Sequence, residues 1–119
     1  MKILIVSSSK GNNYSLGQKI SIMLNVDHEL ISLEDYTLPL FIPDGEVADK
    51  KLLDELVQKF ESADGFIFCA PEYNAGIPPI LTNTITWITV STKQWRQAFL
   101  DKKALIATHS GSSAYAFLS

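Results

Sequence analysis

GFIFCAPEYNAGIPPILTNTITW, residues 65–87, sets the fold class of this chain. Its opening run Phe66-Ile67-Phe68-Cys69-Ala70 has the length and continuous apolarity of a strand buried on both faces. Pro71 ends the run. Glu72-Tyr73-Asn74-Ala75-Gly76 then supply a turn, with Asn and Gly suited to unusual backbone angles. Pro78-Pro79 restart the chain as a helix, because a proline in the first turn gives up an N–H that has no intrahelical partner. The product is a buried strand, a polar loop and a helix N-terminus. In an open parallel sheet, ligands bind in the crevice outside the C-terminal ends of the strands.

The same order opens the chain. Lys2 to Val6 is an apolar run that passes into Ser7-Ser8-Ser9-Lys10-Gly11-Asn12-Asn13-Tyr14-Ser15, after which Leu16, Ile20, Met23 and Leu24 recur at helical spacing. Hydroxyls, amides and one Lys at a helix N-terminus suit an anion, since backbone N–H groups point outward there and the helix dipole favours negative charge. The plainer alternative is that Asn13 or Ser15 caps the helix. Neither G-x-x-x-x-G-K-[ST] nor G-x-G-x-x-G is present.

His28 to Leu33 reads as a short second strand, with His28 at its edge and without a catalytic task. Residues 34–49 form a long connection holding Pro39, Pro43 and Gly45. Asp49 is placed to cap a helix whose stripe is Leu52, Leu53, Leu56, Val57 and Phe60, with its charges facing water. After Pro79 a conflict arises, because Thr82, Thr84, Thr86 and Thr89 alternate with Asn83, Ile85 and Trp87 at a strand-like period. Helix is still expected, because a parallel strand pair needs a crossover. A helix with Ile80, Leu81, Ile85, Trp87 and Ile88 apolar nearly all round predicts a subunit interface. Residues 90–101, with Trp95 and Phe99, complete that crossover. Residues 103–108 form a fourth strand ending in His109-Ser110-Gly111-Ser112-Ser113, a third polar loop at a strand end. Alternating strands and helices predict an α/β doubly wound parallel sheet within a single domain, residues 1–119.

Composition narrows the function. The chain has 119 residues, 46% hydrophobic, with a net charge of -3 and ten Lys and Arg that form no run, which argues against a nucleic-acid surface. The first apolar run is too short for a signal-peptide core or a membrane span, so a cytoplasmic protein is expected. The single Cys69 lies in an apolar strand and reads as a small buried hydrophobe. No metal-ligand cluster, Ser/His/Asp spacing or catalytic side chain is visible.

Pro71-Glu72-Tyr73-Asn74, Ile77-Pro78, and then Leu81, Asn83 and Trp87 closely match P-E-Y-N, a small residue or Gly, I-P and L-x-N-x-x-x-W. On these residues the chain resembles the NADPH-dependent FMN reductase family, flavodoxin-like proteins that include quinone, azo-dye and chromate reductases. The opening V-S-S-S-K-G-N-N-Y-S is similar to the family's phosphate loop G-S-x-R-x-x-S, with Lys10 where Arg is common. The Ser110-Gly111-Ser112-Ser113 loop resembles the family's Gly-rich loop, with fewer glycines.

The resemblance implies sheet order 2-1-3-4 with FMN as cofactor and NAD(P)H as co-substrate. Ser7, Ser9, Lys10, Asn13 and Ser15 would cradle the phosphate. The backbone of Pro71, Glu72, Tyr73, Asn74, Ala75 and Gly76 would line the isoalloxazine ring, and Ser110, Gly111 and Ser112 would close its other side. Tyr73 would pack at the ring edge and Glu72 point away from it. His109 follows a strand end within reach of flavin or substrate. Hydride would pass from the nicotinamide through flavin N5 to a quinone, azo compound, metal oxyanion or free flavin. A homodimer or homotetramer is expected, with a small-molecule acceptor and neither nucleic acid nor membrane as partner. Family members continue through a further helix, a fifth strand and a last helix. The fifth edge strand is not found in this sequence, which would leave the fourth strand exposed and prone to association. The rival reading is a truncated flavodoxin-like interaction protein with weak or no turnover. A one-electron flavodoxin-type carrier would be more acidic. A phosphoacceptor receiver domain would need acids where Ser7-Ser8-Ser9 stand.

Overall fold

The computed structural model describes residues 1–73, 76–94 and 96–109. Among these residues four strands, β1 (Lys2–Ser7), β2 (Asp27–Ser32), β3 (Gly65–Cys69) and β4 (Lys103–Ala107), alternate with three α-helices, α1 (Asn12–Met23), α2 (Lys50–Ser62) and α3 (Pro79–Ser91). All the strand pairs are parallel and the order is β2-β1-β3-β4. That is the expected doubly wound order. Trp95 lies outside the described residues.

The pleat divides the core into two layers. Leu4, Val6 and Phe66 face α2 and α3, where Leu53, Leu56, Val57, Phe60, Leu81, Trp87 and Ile88 complete the larger cluster. Ile5, Ile67 and Cys69 face the other way, toward Leu16, Ile20 and Leu24. Those three leucine and isoleucine positions are four apart and share one face. Met23 is offset from that row and is 74% exposed, so it does not join the stripe as the spacing had suggested. Gly17 lets α1 sit close to β2, since a Cβ there would lie 2.8 Å from Leu30 Cδ1.

Asp49 caps α2 as predicted, its carboxylate accepting from the Leu52 N–H at 3.0 Å. The far end of α2 is closed by Lys102, whose Nζ donates to the Phe60 and Glu61 carbonyls at 2.9 Å each and sits 5.6 Å from the Phe66 ring centre. Burial there pulls its pKa down.

The threonine run of α3 is helical despite its strand-like period. Thr84, Thr86 and Thr89 each donate a hydroxyl to the carbonyl four residues back, at 2.7, 2.9 and 2.8 Å. This satisfies the polar groups that would otherwise compete with the helix. Leu81, Thr84, Trp87 and Ile88 are buried, whereas Ile80 and Val90 are exposed. β4 pairs with β3 along one edge, and its Leu105 and Ile106 are 59% and 67% exposed.

Candidate functional site

Parallel register brings three strand ends to one sheet edge. Ser7 stands opposite Cys69, and Cys69 opposite Ala107. The ladder runs one residue further, with Ser8 N–H donating to the Cys69 carbonyl at 3.1 Å and Ala70 N–H to the Ala107 carbonyl at 3.2 Å. The loops after β1, β3 and β4 therefore leave the sheet side by side.

The loop between β1 and α1 is folded by its own hydroxyls. The fully buried Ser7 donates Oγ–H to the Ser9 carbonyl at 2.7 Å and accepts from the Ser9 N–H at 3.4 Å. Ser9 Oγ accepts from the Gly11 N–H at 3.3 Å. Gly11 is the N-cap of α1 and, among the described residues, no side chain caps the helix, so neither Asn13 nor Ser15 takes the capping role. Ser15 is exposed in the first turn, its N–H bonded to the Gly11 carbonyl at 3.1 Å. Asn13 is 3% exposed, and its amide is committed to the fourth strand's end. Its Nδ2 donates to the His109 carbonyl at 3.2 Å, and its Oδ1 accepts from the His109 N–H at 3.0 Å. Among the named loop residues, Asn13 can thus meet an anion through its backbone and not through its amide.

Lys10 supplies the loop's cation. Its ammonium pairs with Asp35, and the hydrogen bond and charge of that carboxylate hold its pKa above the usual lysine range. Its backbone N–H donates to Glu34 Oε1 at 3.0 Å. Both acids lie in a short 3-10 turn, Leu33–Asp35, directly after β2, where Ser32 Oγ accepts from the Glu34 N–H at 3.3 Å. Sequence reasoning missed this acidic pair, because only the pairing of β1 with β2 brings residues 24 positions apart together.

The loop fits a phosphate. An uncapped N-terminus of a twelve-residue helix offers outward N–H groups. Gly11 leaves the backbone open, since a Cβ there would meet only Ser9 Oγ, at 3.8 Å. Lys10 adds a positive charge beside it.

After β3, Tyr73 and Gly76 close a tight turn by exchanging both backbone hydrogen bonds at 3.0 Å. Their N–H groups are spent within the turn, and the Tyr73 ring is 56% exposed. Pro71 and Glu72 are half-buried at its base. Asn74 and Ala75 lie outside the described residues, as do Ser110, Gly111 and Ser112 of the third loop. Cys69 is fully buried below, and burial pushes its thiol pKa up, which keeps it an inert thiol. Among the described residues, no group of His, Cys, Asp and Glu is placed to hold a metal ion. No helix among them is long and apolar enough to cross a membrane.

A cavity of about 350 Å³ lies behind the second loop, between Phe68, Ala104 and Ile106 of the sheet and Leu81 and Ile85 of α3. Its walls are almost wholly apolar, and no charged side chain lines it, so it suits neither a phosphate nor the polar edge of a flavin ring. The groups whose chemistry suits an anion are on the β1–α1 loop.

Asn83 and Trp87, one turn apart on α3, have a structural task. Asn83 Oδ1 accepts from the Phe41 N–H at 2.8 Å, and its Nδ2 donates to the Pro39 carbonyl at 3.0 Å. Trp87 Nε1 donates to the same carbonyl at 2.8 Å. The pair straps the long 34–49 connection against the helix that follows the second loop.

The family model described as NADPH-dependent FMN reductase matches residues 1–117. The chain is 32% identical over 100 residues to the uncharacterized protein MG342 homolog of Mycoplasma pneumoniae, covering 82% of this chain and 59% of that protein. It is 35% identical over 78 residues to the NADH:(hydroxy)cinnamate reductase subunit CrdA of Vibrio ruber, covering 66% of this chain and 36% of that one. Among solved structures, FerB, a flavoenzyme NAD(P)H:(acceptor) oxidoreductase from Paracoccus denitrificans, superposes with a TM-score of 0.77 at 19% identity. The superposition covers 99% of this chain and 65% of FerB. The chain thus spans less than two thirds of the length of each of these proteins.

Proposed function

The chain belongs to the NADPH-dependent FMN reductase family, whose cofactor is FMN and whose co-substrate is NAD(P)H, and from that premise we propose that it binds FMN across its three strand-end loops as an NAD(P)H-dependent oxidoreductase. The observation that carries this reading is the β1–α1 loop, an uncapped helix N-terminus beside Lys10. When bound, FMN supplies a two-electron centre that accepts hydride from the nicotinamide and delivers the electrons to an acceptor.

The residues of the chain bind and orient. Helix N–H groups and the Lys10 ammonium hold the phosphate, while the hydroxyls of Ser7 and Ser9 keep that loop in shape. Ser15, in the first turn, adds an exposed hydroxyl to the same side. The backbone of Pro71, Glu72, Tyr73, Asn74, Ala75 and Gly76 would line the isoalloxazine ring, with the Tyr73 phenol at its edge and the carboxylate of Glu72 away from it. Since the Tyr73 and Gly76 N–H groups bond within the turn, donors to the ring come from the rest of that loop. Ser110, Gly111 and Ser112 would close the opposite side, and the Asn13–His109 link joins the end of β4 to the first turn of α1. The acceptor is a quinone, an azo compound, a metal oxyanion or a free flavin, and the chain acts in the cytoplasm.

The visible spectrum of the purified chain, titrated with FMN, tests the reading. Saturable, shifted flavin bands are expected, followed by FMN-dependent oxidation of NADH or NADPH with a quinone present. Absence of any saturable change overturns the proposal. A flavin site without turnover is the second reading, favoured by the exposure of Leu105 and Ile106 on β4. Bound flavin that nicotinamide fails to reduce would select it.

A homodimer or homotetramer assembled through α3 completes the proposal, on the strength of Ile80 and Val90, exposed toward its two ends, and of Ile77, exposed just before it. Sedimentation velocity at micromolar concentration is expected to show a species heavier than the monomer. A single monomeric boundary would remove α3 as an interface.

A further inference from the structure

The donors of the β1–α1 loop do not all face solvent. Glu34 Oε1 holds the Lys10 N–H at 3.0 Å, and Asp35 holds the Lys10 ammonium. Two carboxylates from the turn after β2 therefore occupy the same groups that an incoming phosphate would use. A carboxylate offers an N–H donor the same chemistry as a phosphate oxygen, an anionic acceptor. The Glu34 backbone is fixed in turn by the Ser32 hydroxyl, and Ser32 is 1% exposed. The backbone of the acid is thus anchored to the end of β2, while Glu34 itself and its hydrogen bond to Lys10 are exposed.

We infer that Glu34 is a specificity-determining residue of the flavin site, an internal anion that competes with the ligand's phosphate and narrows the advantage of FMN over riboflavin. The inference rests on the flavin reading above. A dianionic phosphate must displace the Glu34 carboxylate from the Lys10 amide or settle beside it against like-charge repulsion, whereas riboflavin, without phosphate, meets neither cost. Asp35 acts in the same sense by pairing with the Lys10 ammonium, and because Lys10, Glu34 and Asp35 are all exposed, water screens both effects.

Glu34→Gln separates charge from shape, since its amide oxygen still accepts from the Lys10 N–H. FMN and riboflavin titrations of the full chain, read by flavin fluorescence, are expected to show FMN binding roughly fivefold tighter in E34Q, with riboflavin affinity unchanged. Asp35→Asn should move FMN binding the same way. In about 1 M salt, where the screening length falls to about 3 Å, the gain of E34Q should largely vanish. If wild type binds FMN and E34Q binds it no tighter, or if riboflavin tightens equally, the inference falls and the flavin reading stands. A gain that survives high salt assigns the effect to loop rearrangement and also overturns it. No flavin binding in either protein overturns the flavin reading and this inference together.

Discussion

Replacing Trp87 by alanine is expected to cost the fold about 3–5 kcal/mol, the usual range for removing a buried aromatic. Trp87 is 6% exposed, packs edge-to-face on Phe41 with ring centres 5.1 Å apart, and donates to the Pro39 carbonyl. A domain of this size has roughly 5–15 kcal/mol in total, so urea denaturation should show a large drop in midpoint or a chain already partly unfolded. Trp87→Phe keeps most of the buried ring and loses only the Nε1 donor, for which about 1 kcal/mol is expected. The two substitutions therefore separate packing from hydrogen bonding. Asn83 shares the Pro39 carbonyl with Trp87, so Asn83→Ala combined with Trp87→Phe should be less costly than the sum of the two by about 0.5–1 kcal/mol. Strict additivity would mean that the two side chains hold the 34–49 connection independently, and the shared strap would be wrong.

The strap shows where the sequence was legible and where it was not. Asn83 and Trp87 could be recognised as a motif, one helical turn apart. Their task could not, because their partner is Pro39, 44 and 48 residues away in a stretch with no periodicity. The sheet was readable for the opposite reason: Leu4, Ile5 and Val6 and then Phe66 and Ile67 are continuous apolar runs, which only a strand covered on both faces can use. The helix after Pro79 was readable from its prolines against the evidence of its threonines. The hydroxyl bonds to i−4 carbonyls explain why that evidence pointed the wrong way. Met23 was misassigned because a spacing of three from Ile20 looks as helical as a spacing of four, and only the packed sheet selects the row at 16, 20 and 24. At the site, the polar loop after β1 followed from composition, whereas the absence of a cap by Asn13 or Ser15 did not, since either residue type suits an N-cap. The acids that face it did not, since Glu34 and Asp35 read as ordinary loop charges until β2 is laid beside β1.

Among the described residues the Asn13 amide reaches 96 positions along the chain, and its removal should be felt in both stability and ligand binding. Asn13→Ala deletes two hydrogen bonds to the His109 backbone and leaves that N–H and carbonyl to find water or stay unpaired. Because the site is part-buried, about 2–4 kcal/mol is expected, more than two solvent-exposed bonds would contribute. Native-state hydrogen exchange should show the His109 amide losing protection ahead of its neighbours in β4. The link also holds the end of β4 beside the β1–α1 loop, so on the proposed flavin site weaker FMN binding should accompany it even though the amide is committed to His109. Asn13→Asp sharpens the test. Its carboxylate can still accept from the His109 N–H but faces the His109 carbonyl with no proton to donate. It also adds a negative charge at the mouth of the anion loop, so it should impair FMN binding more than alanine does, while affecting riboflavin less. If alanine leaves both the His109 exchange rate and the unfolding midpoint unchanged, the two strand ends are not joined through Asn13. The arrangement of the loops would then have to be held by the sheet ladder alone, through the Ser8–Cys69 and Ala70–Ala107 hydrogen bonds.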